Sequence, residues 1–217
     1  MKKLKIKKIS YLVFAFTFLT ASLFFAACKE ENYLINYVNE TRTDIYRGEN
    51  EKYPLKAYYG KKDGKNQLTL FLNKNETDEN SVFAELPSNG EKIRKEFTFD
   101  PVKNALCAIF PTDNFTEKEF TVSIFCGSEK VDVILKSIVP ENSLSLNDVL
   151  SVLSKNQKTL INNYFKDGVM NGKICARILV KDDYPYWYIG ITDENGKLTA
   201  FLTDGIDGSV KAVREIF

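Results

Sequence analysis

Groups able to act as acids, bases, nucleophiles or metal ligands are unevenly supplied in this chain. It holds 29 Asp and Glu, 4 Cys and no His among 217 residues. Without histidine there is no Ser-His-Asp or Cys-His catalytic pair, no HExxH helix and no His-ligated metal. The carboxylates Asp182, Asp183 and Glu194 suggest the acid/base pair of a glycoside hydrolase, but adjacent Asp residues in a strand or loop point apart. Asp193, Asn195, Asp204 and Asp207 suggest calcium ligands. An EF-hand loop counted from Asp193 places Lys197 at the fifth position and Asp204 at the twelfth, where an oxygen ligand and a Glu belong. Turn chemistry accounts for these acids, so no catalytic residue, metal or cofactor is expected.

Tyr184, Tyr186 and Tyr188 offer a different chemistry. At a spacing of two they fall on one side of an extended strand, in Tyr184-Pro185-Tyr186-Trp187-Tyr188. Such a row anchors a protein partner or stacks on sugar rings. The alternative is ordinary cross-strand packing. Trp187, Ile189 and Ile191 share the opposite face, which is the expected core face. The three tyrosines form the candidate binding surface.

Cys28 belongs to a third kind of chemistry, read from its surroundings. Met1 to Lys8 is basic, Tyr11 to Ala27 is apolar, and Phe25-Ala26-Ala27-Cys28 ends the run before Lys29-Glu30-Glu31. These are the three regions of a secretory signal. The boundary resembles the lipobox of bacterial lipoproteins, with Phe25 where Leu is usual. That resemblance implies cleavage before Cys28, acylation of its sulfur, and a lipid anchor in the bacterial envelope, at the outer membrane or cell surface. Two or three acyl chains hold firmly where one does not. Lys29-Glu30-Glu31 is similar to the surface-export tag of some Bacteroidota lipoproteins. The alternative for the whole segment is an uncleaved transmembrane helix.

Loss of residues 1–27 removes five lysines and no acid, leaving 25 basic against 29 acidic side chains. A mildly acidic chain lacks the basic footprint of a nucleic-acid binder. With Cys28 acylated, Cys107, Cys126 and Cys175 remain, and an odd number allows at most one disulfide. Cys107 and Cys126 read as lying in two strands of one hairpin. Pairing Phe110 near Phe120 sets Cys107 opposite Ser123, so buried free thiols are expected.

The elements that must carry these residues follow from pattern. Residues 28–52 read as the lipidated Cys and a tether. Residues 53–140 read as an antiparallel β region, sandwich-like or a strongly curved sheet, with hairpins at Asp63-Gly64 and Gly127-Ser128. Residues 141–217 read as an α+β unit. Ser145 caps an amphipathic helix carrying Leu146, Val149, Leu150, Leu153, Leu160, Ile161 and Tyr164, with a kink near Lys155-Asn156 and a stop at Lys166 to Gly168. A four-stranded antiparallel meander follows. An Asn195-Gly196 turn sets Leu198, Ala200 and Leu202 inward. The fold expected is α+β, β-rich, with one helix packed on the meander.

Trp187-Tyr188-Ile189-Gly190-Ile191, Asn195-Gly196-Lys197, Phe201-Leu202-Thr203-Asp204-Gly205 and Gly208-Ser209-Val210 resemble the closing hairpins of PepSY-like domains over about 45 residues. Asp207 and Ser209 depart from the usual Thr and Glu. The resemblance implies an extracytoplasmic accessory or inhibitory module, often linked to peptidases, and transfers no catalytic residue. The function expected is a non-catalytic envelope lipoprotein that acts as a binding or accessory module for another envelope or extracellular protein, with a peptidase as the class the resemblance implies. The alternatives are a carbohydrate-binding surface lipoprotein and a carboxylate-based hydrolase.

Overall fold

Short two-residue turns set the geometry of this chain. In the computed structural model, which describes residues 33–73, 81–88, 91–113 and 115–216, Asp63 and Gly64 have φ of 50° and 78°. Both central positions of a tight hairpin turn require positive φ, and Asp-Gly supplies them cheaply. That turn joins β3 (Leu55–Lys62) to β4 (Lys65–Asn73). Cys28 and the whole signal reading lie outside the described residues.

The segment expected to be a tether is folded from Tyr33 onward. A 3₁₀ turn at Tyr33–Tyr37 leads into β1 (Val38–Arg42) and β2 (Asp44–Gly48). The remaining strands of the first sheet are β5 (Val82–Ser88), β6 (Glu91–Glu96), β7 (Thr98–Asp100), β8 (Ala105–Pro111), β9 (Glu119–Cys126) and β10 (Glu129–Ser137). They assemble in the order β6-β5-β9-β10-β2-β3-β4-β8-β7, with every pair antiparallel.

The two edges of this sheet, β6 and β7, are consecutive in the chain with only Phe97 between them. One residue therefore spans from one edge to the other, which forces the sheet to curl until its edges nearly meet. Phe97 is buried, and its N–H donates to the carbonyl of Val82 at 2.8 Å. The result is the strongly curved sheet of the two expected alternatives, curled into a nearly closed barrel, and not the sandwich. Leu68, Leu70, Leu72, Val122, Ile124 and Leu135 fill its inside. β8 and β9 are not neighbours, so the hairpin expected to hold Cys107 and Cys126 does not form. All three described cysteines are free thiols, Cys107 and Cys126 buried and Cys175 partly so.

The second sheet runs β1-β13-β14-β15-β16, from β13 (Gly172–Lys181), β14 (Tyr184–Asp193), β15 (Leu198–Asp204) and β16 (Val210–Ile216). The expected meander is present, with β1 added at its edge in parallel register to β13. Parallel pairing over 136 residues leaves no local signal. The helix is capped as expected, Ser145 Oγ accepting from the Asp148 N–H at 3.2 Å. It is split, however, into α1 (Leu146–Asn156) and α2 (Lys158–Asn162) at Gln157, whose φ of −120° breaks the run. The chain then forms the small hairpin of β11 (Phe165–Lys166) and β12 (Val169–Met170). Asp167 and Gly168, at φ 53° and 79°, serve as its turn, not as a helix cap.

Val149, Leu150, Leu153 and Ile161 pack with Trp187, Ile189, Ile191 and Phe201 in a second core. The indole N–H of Trp187 donates to the Leu144 carbonyl at 3.1 Å. On β15 the faces are opposite to expectation. Thr199, Phe201 and Thr203 are buried, while Leu198, Ala200 and Leu202 lie outward. A two-residue Asn-Gly turn would pair Asp193 with Leu198, but Thr192 pairs with Leu198 instead. The longer loop slips the register by one residue, which exchanges the faces. Leu34–Phe217 forms one compact unit with these two cores.

Candidate functional site

The outer face of the five-stranded sheet, opposite the helices, is built by alternation along β13 and β14. Arg177 pairs with Tyr188, Leu179 with Tyr186 and Lys181 with Tyr184. Ladder partners share a face, so the three tyrosines stand with the outward Leu202 and Asp204 of β15. Trp187 lies on the buried face at 2% exposure, as its alternation requires. Tyr186 and Tyr188 are half-buried, and Tyr184 is 40% exposed.

The three rings are not equivalent. Tyr184 and Tyr186 approach to 5.2 Å between centroids at an angle of 51°. The Tyr184 hydroxyl donates to Asp204 at 3.0 and 2.9 Å. This bond to the carboxylate, with burial second, raises the Tyr184 pKa. Asp204 also accepts the Ile206 and Asp207 N–H groups and pairs with Lys211 at 3.0 Å. Tyr184 is thus a strut within a turn network. Its ring nevertheless stays exposed, and Tyr186 and Tyr188 are half-buried beside it.

The acids considered for chemistry hold turns. Asp182 and Asp183, at φ 50° and 59°, form the β13–β14 turn. Asp193 accepts the Asn195 and Lys197 N–H groups at 2.9 and 2.8 Å, and Asp207 accepts that of Ser209 at 2.7 Å. Among the described residues no group of three or more His, Cys, Asp or Glu is placed to hold a metal. The buried Asp44 is also structural. It accepts from Ser137 Oγ at 2.5 Å, from Lys118 at 3.0 Å and from the Ile45 N–H, fastening β2 beside β10.

Further recesses lie among the described residues, an open one of about 600 Å³ lying beside β1 and the Asp63-Gly64 turn. A second, of about 220 Å³, lies at an end of the barrel among Leu68, Leu86, Ile93, Phe110 and Phe115. It is smaller than most ligand pockets. Another, of about 340 Å³, lies where the outer faces of the two sheets meet along β1 and β3, and Arg42, Arg177, Lys61, Tyr58 and Phe71 line it together with Glu40 and Asp100. Sequence reading missed this groove because Arg42 sits in the presumed tether and meets Arg177 only through the parallel pairing. The Arg177 end of the groove adjoins Tyr188, its ladder partner.

No family model, curated protein or solved structure matches this chain. No helix among the described residues is long and apolar enough to cross a membrane.

Proposed function

We propose that the protein is a non-catalytic binding module of the bacterial envelope, held through acylated Cys28 at the outer membrane or cell surface. Its partner is another envelope or extracellular protein, with a peptidase as the class that the PepSY-like carboxyl-terminal pattern implies. The observation that carries this reading is the outward sheet face. Tyr186 and Tyr188 stand there beside Leu179 and Leu202, opposite the face that the helices cover. Amphipathic rings held rigidly by a sheet are good anchors for a protein surface.

The test uses the full-length chain in cells. Cys28→Ala should abolish acyl labelling and release the protein from the detergent phase. A variant that still partitions like the parent would instead support the transmembrane reading. Tyr186→Ala and Tyr188→Ala should each change stability by no more than about 1 kcal/mol, the scale of a cross-strand pair. They should still weaken recovery of the partner that co-purifies with the parent from solubilised envelope. Normal recovery by both variants would end the proposal for this face.

A further inference from the structure

Arg42 and Arg177 are direct partners in the parallel ladder of β1 and β13, on the same face. Like charges set opposite one another destabilise a sheet. Arg177 is relieved by Glu40, which accepts from it at 2.7 Å. Arg42 has no such relief. Its guanidinium lies 4.5 Å from the ring centroid of Tyr58, and Nε donates to the Ile178 carbonyl at 3.3 Å. Among the described residues no carboxylate lies within ion-pair distance of it. Burial, with Arg177 adding to it, lowers the Arg42 pKa, against the opposing influence of Tyr58, Cys175 and the more distant Glu40.

The other charged groups at the recess do not supply the missing anion. Asp100 pairs with Lys103 at 3.4 Å and accepts the Val102 and Lys103 N–H groups of its own turn. Lys61 and Lys62 line the recess and pair with no carboxylate among the described residues. The ring faces do not offer a sugar platform, because Arg42 covers Tyr58 and Lys103 sits 4.6 Å from the centre of Phe71. The space of about 340 Å³ falls within the range of small-ligand pockets. A planar guanidinium with its terminal N–H groups unpaired matches a phosphate, sulfate or carboxylate in fork geometry.

We propose that this groove binds a small oxyanion-bearing ligand, its phosphate, sulfate or carboxylate group held by Arg42, with Lys61 and Lys62 at the rim. The site adjoins the tyrosine face at Arg177 and Tyr188 but does not rest on that reading. Isothermal titration of the full chain in detergent, at constant ionic strength in chloride, tests it with inorganic phosphate, sulfate and glucuronate. At least one should bind saturably at one site per chain, and the strongest identifies the oxyanion. Arg42→Gln should weaken that binding at least tenfold. Arg42→Lys should weaken it less, because charge remains and the fork is lost. If circular dichroism finds Arg42→Gln unfolded, the double variant Lys61→Gln/Lys62→Gln takes its place, and a threefold or greater weakening is expected. No saturable binding of any of the three anions by the folded parent, or equal affinity in the folded variants, would overturn the proposal.

Discussion

At the residue scale, Asp204 decides what the tyrosine row can do. It is 4% exposed, and burial alone would raise its pKa. The N–H groups of Ile206 and Asp207, the ammonium of Lys211 and the hydroxyl of Tyr184 outweigh burial, and bring the pKa down to about 2 from the ordinary 3.8. A carboxylate with a depressed folded pKa contributes stability that is fully present above the unfolded value and lost as pH falls through the folded one. This contribution should therefore be constant above about pH 5 and fade between about pH 4 and 2. Asp204→Asn should lower the melting temperature at pH 7 and flatten its decline across that acid window. A variant profile parallel to the parent's through the window would show that Asp204 is not the group responsible. Strand alternation alone was enough to place Trp187 inward and the tyrosines outward. The bond from Tyr184 to Asp204 was not legible, because it depends on a cross-strand register 20 residues away, and it fixes the hydroxyl of one of the three expected binding residues. Arg42 was equally hidden, since its neighbour comes from a strand 136 residues on.

At the scale of elements, what could be read was what is local. The turns Asp63-Gly64 and Gly127-Ser128, the cap at Ser145 and the apolar stripe of α1 all depend on residues within one turn or one hairpin. The face of β15 failed by a single residue of loop length, and the choice between a sandwich and a strongly curved sheet stayed open because closure depends on which strands become edges. β1 shows the same limit. Val38 to Arg42 carries few strong strand formers, yet it forms a strand because two other elements hold it. β13 supplies the parallel ladder, and β3 approaches so closely that Gly60 admits no side chain. A Cβ there would meet the Thr41 carbonyl oxygen at 1.9 Å. The Thr43 N–H also bonds the Tyr59 carbonyl at 2.9 Å, and the Lys61 N–H bonds Thr41 Oγ1 at 2.8 Å. The obstacle is backbone, which cannot rotate aside. Gly60→Ala should therefore cost about 1–3 kcal/mol in urea unfolding, the scale of overpacking. It should also disturb the groove that β1 and β3 enclose. A loss under about 0.5 kcal/mol would mean that the two strands separate easily at this point.

At the scale of the whole molecule, the question is whether two cores make two independent folding bodies. β1 belongs to the five-stranded sheet and β2 to the barrel, and only Thr43 lies between them. A single residue cannot act as a flexible linker, so loss of either sheet removes an edge or an interior strand from the other. The Ile138 N–H bonds the Ile45 carbonyl at 2.9 Å, and Ile45 itself packs in the second core although it sits on a barrel strand. These links predict one cooperative transition. Leu70 tests this, because it is fully buried inside the barrel, and Trp187, the one tryptophan, reports from the other core. Leu70→Ala should cost about 2–5 kcal/mol. In a single unit that loss shifts the midpoint of Trp187 fluorescence as far as the midpoint of far-ultraviolet circular dichroism. Two independent bodies would leave the Trp187 midpoint where it is in the parent while the dichroism curve splits into two steps. The coincident shift is expected, since the barrel joins the second sheet both at Thr43 and through the segment from β10 to α1, and Tyr58, Ile138 and Val139 pack on the second core.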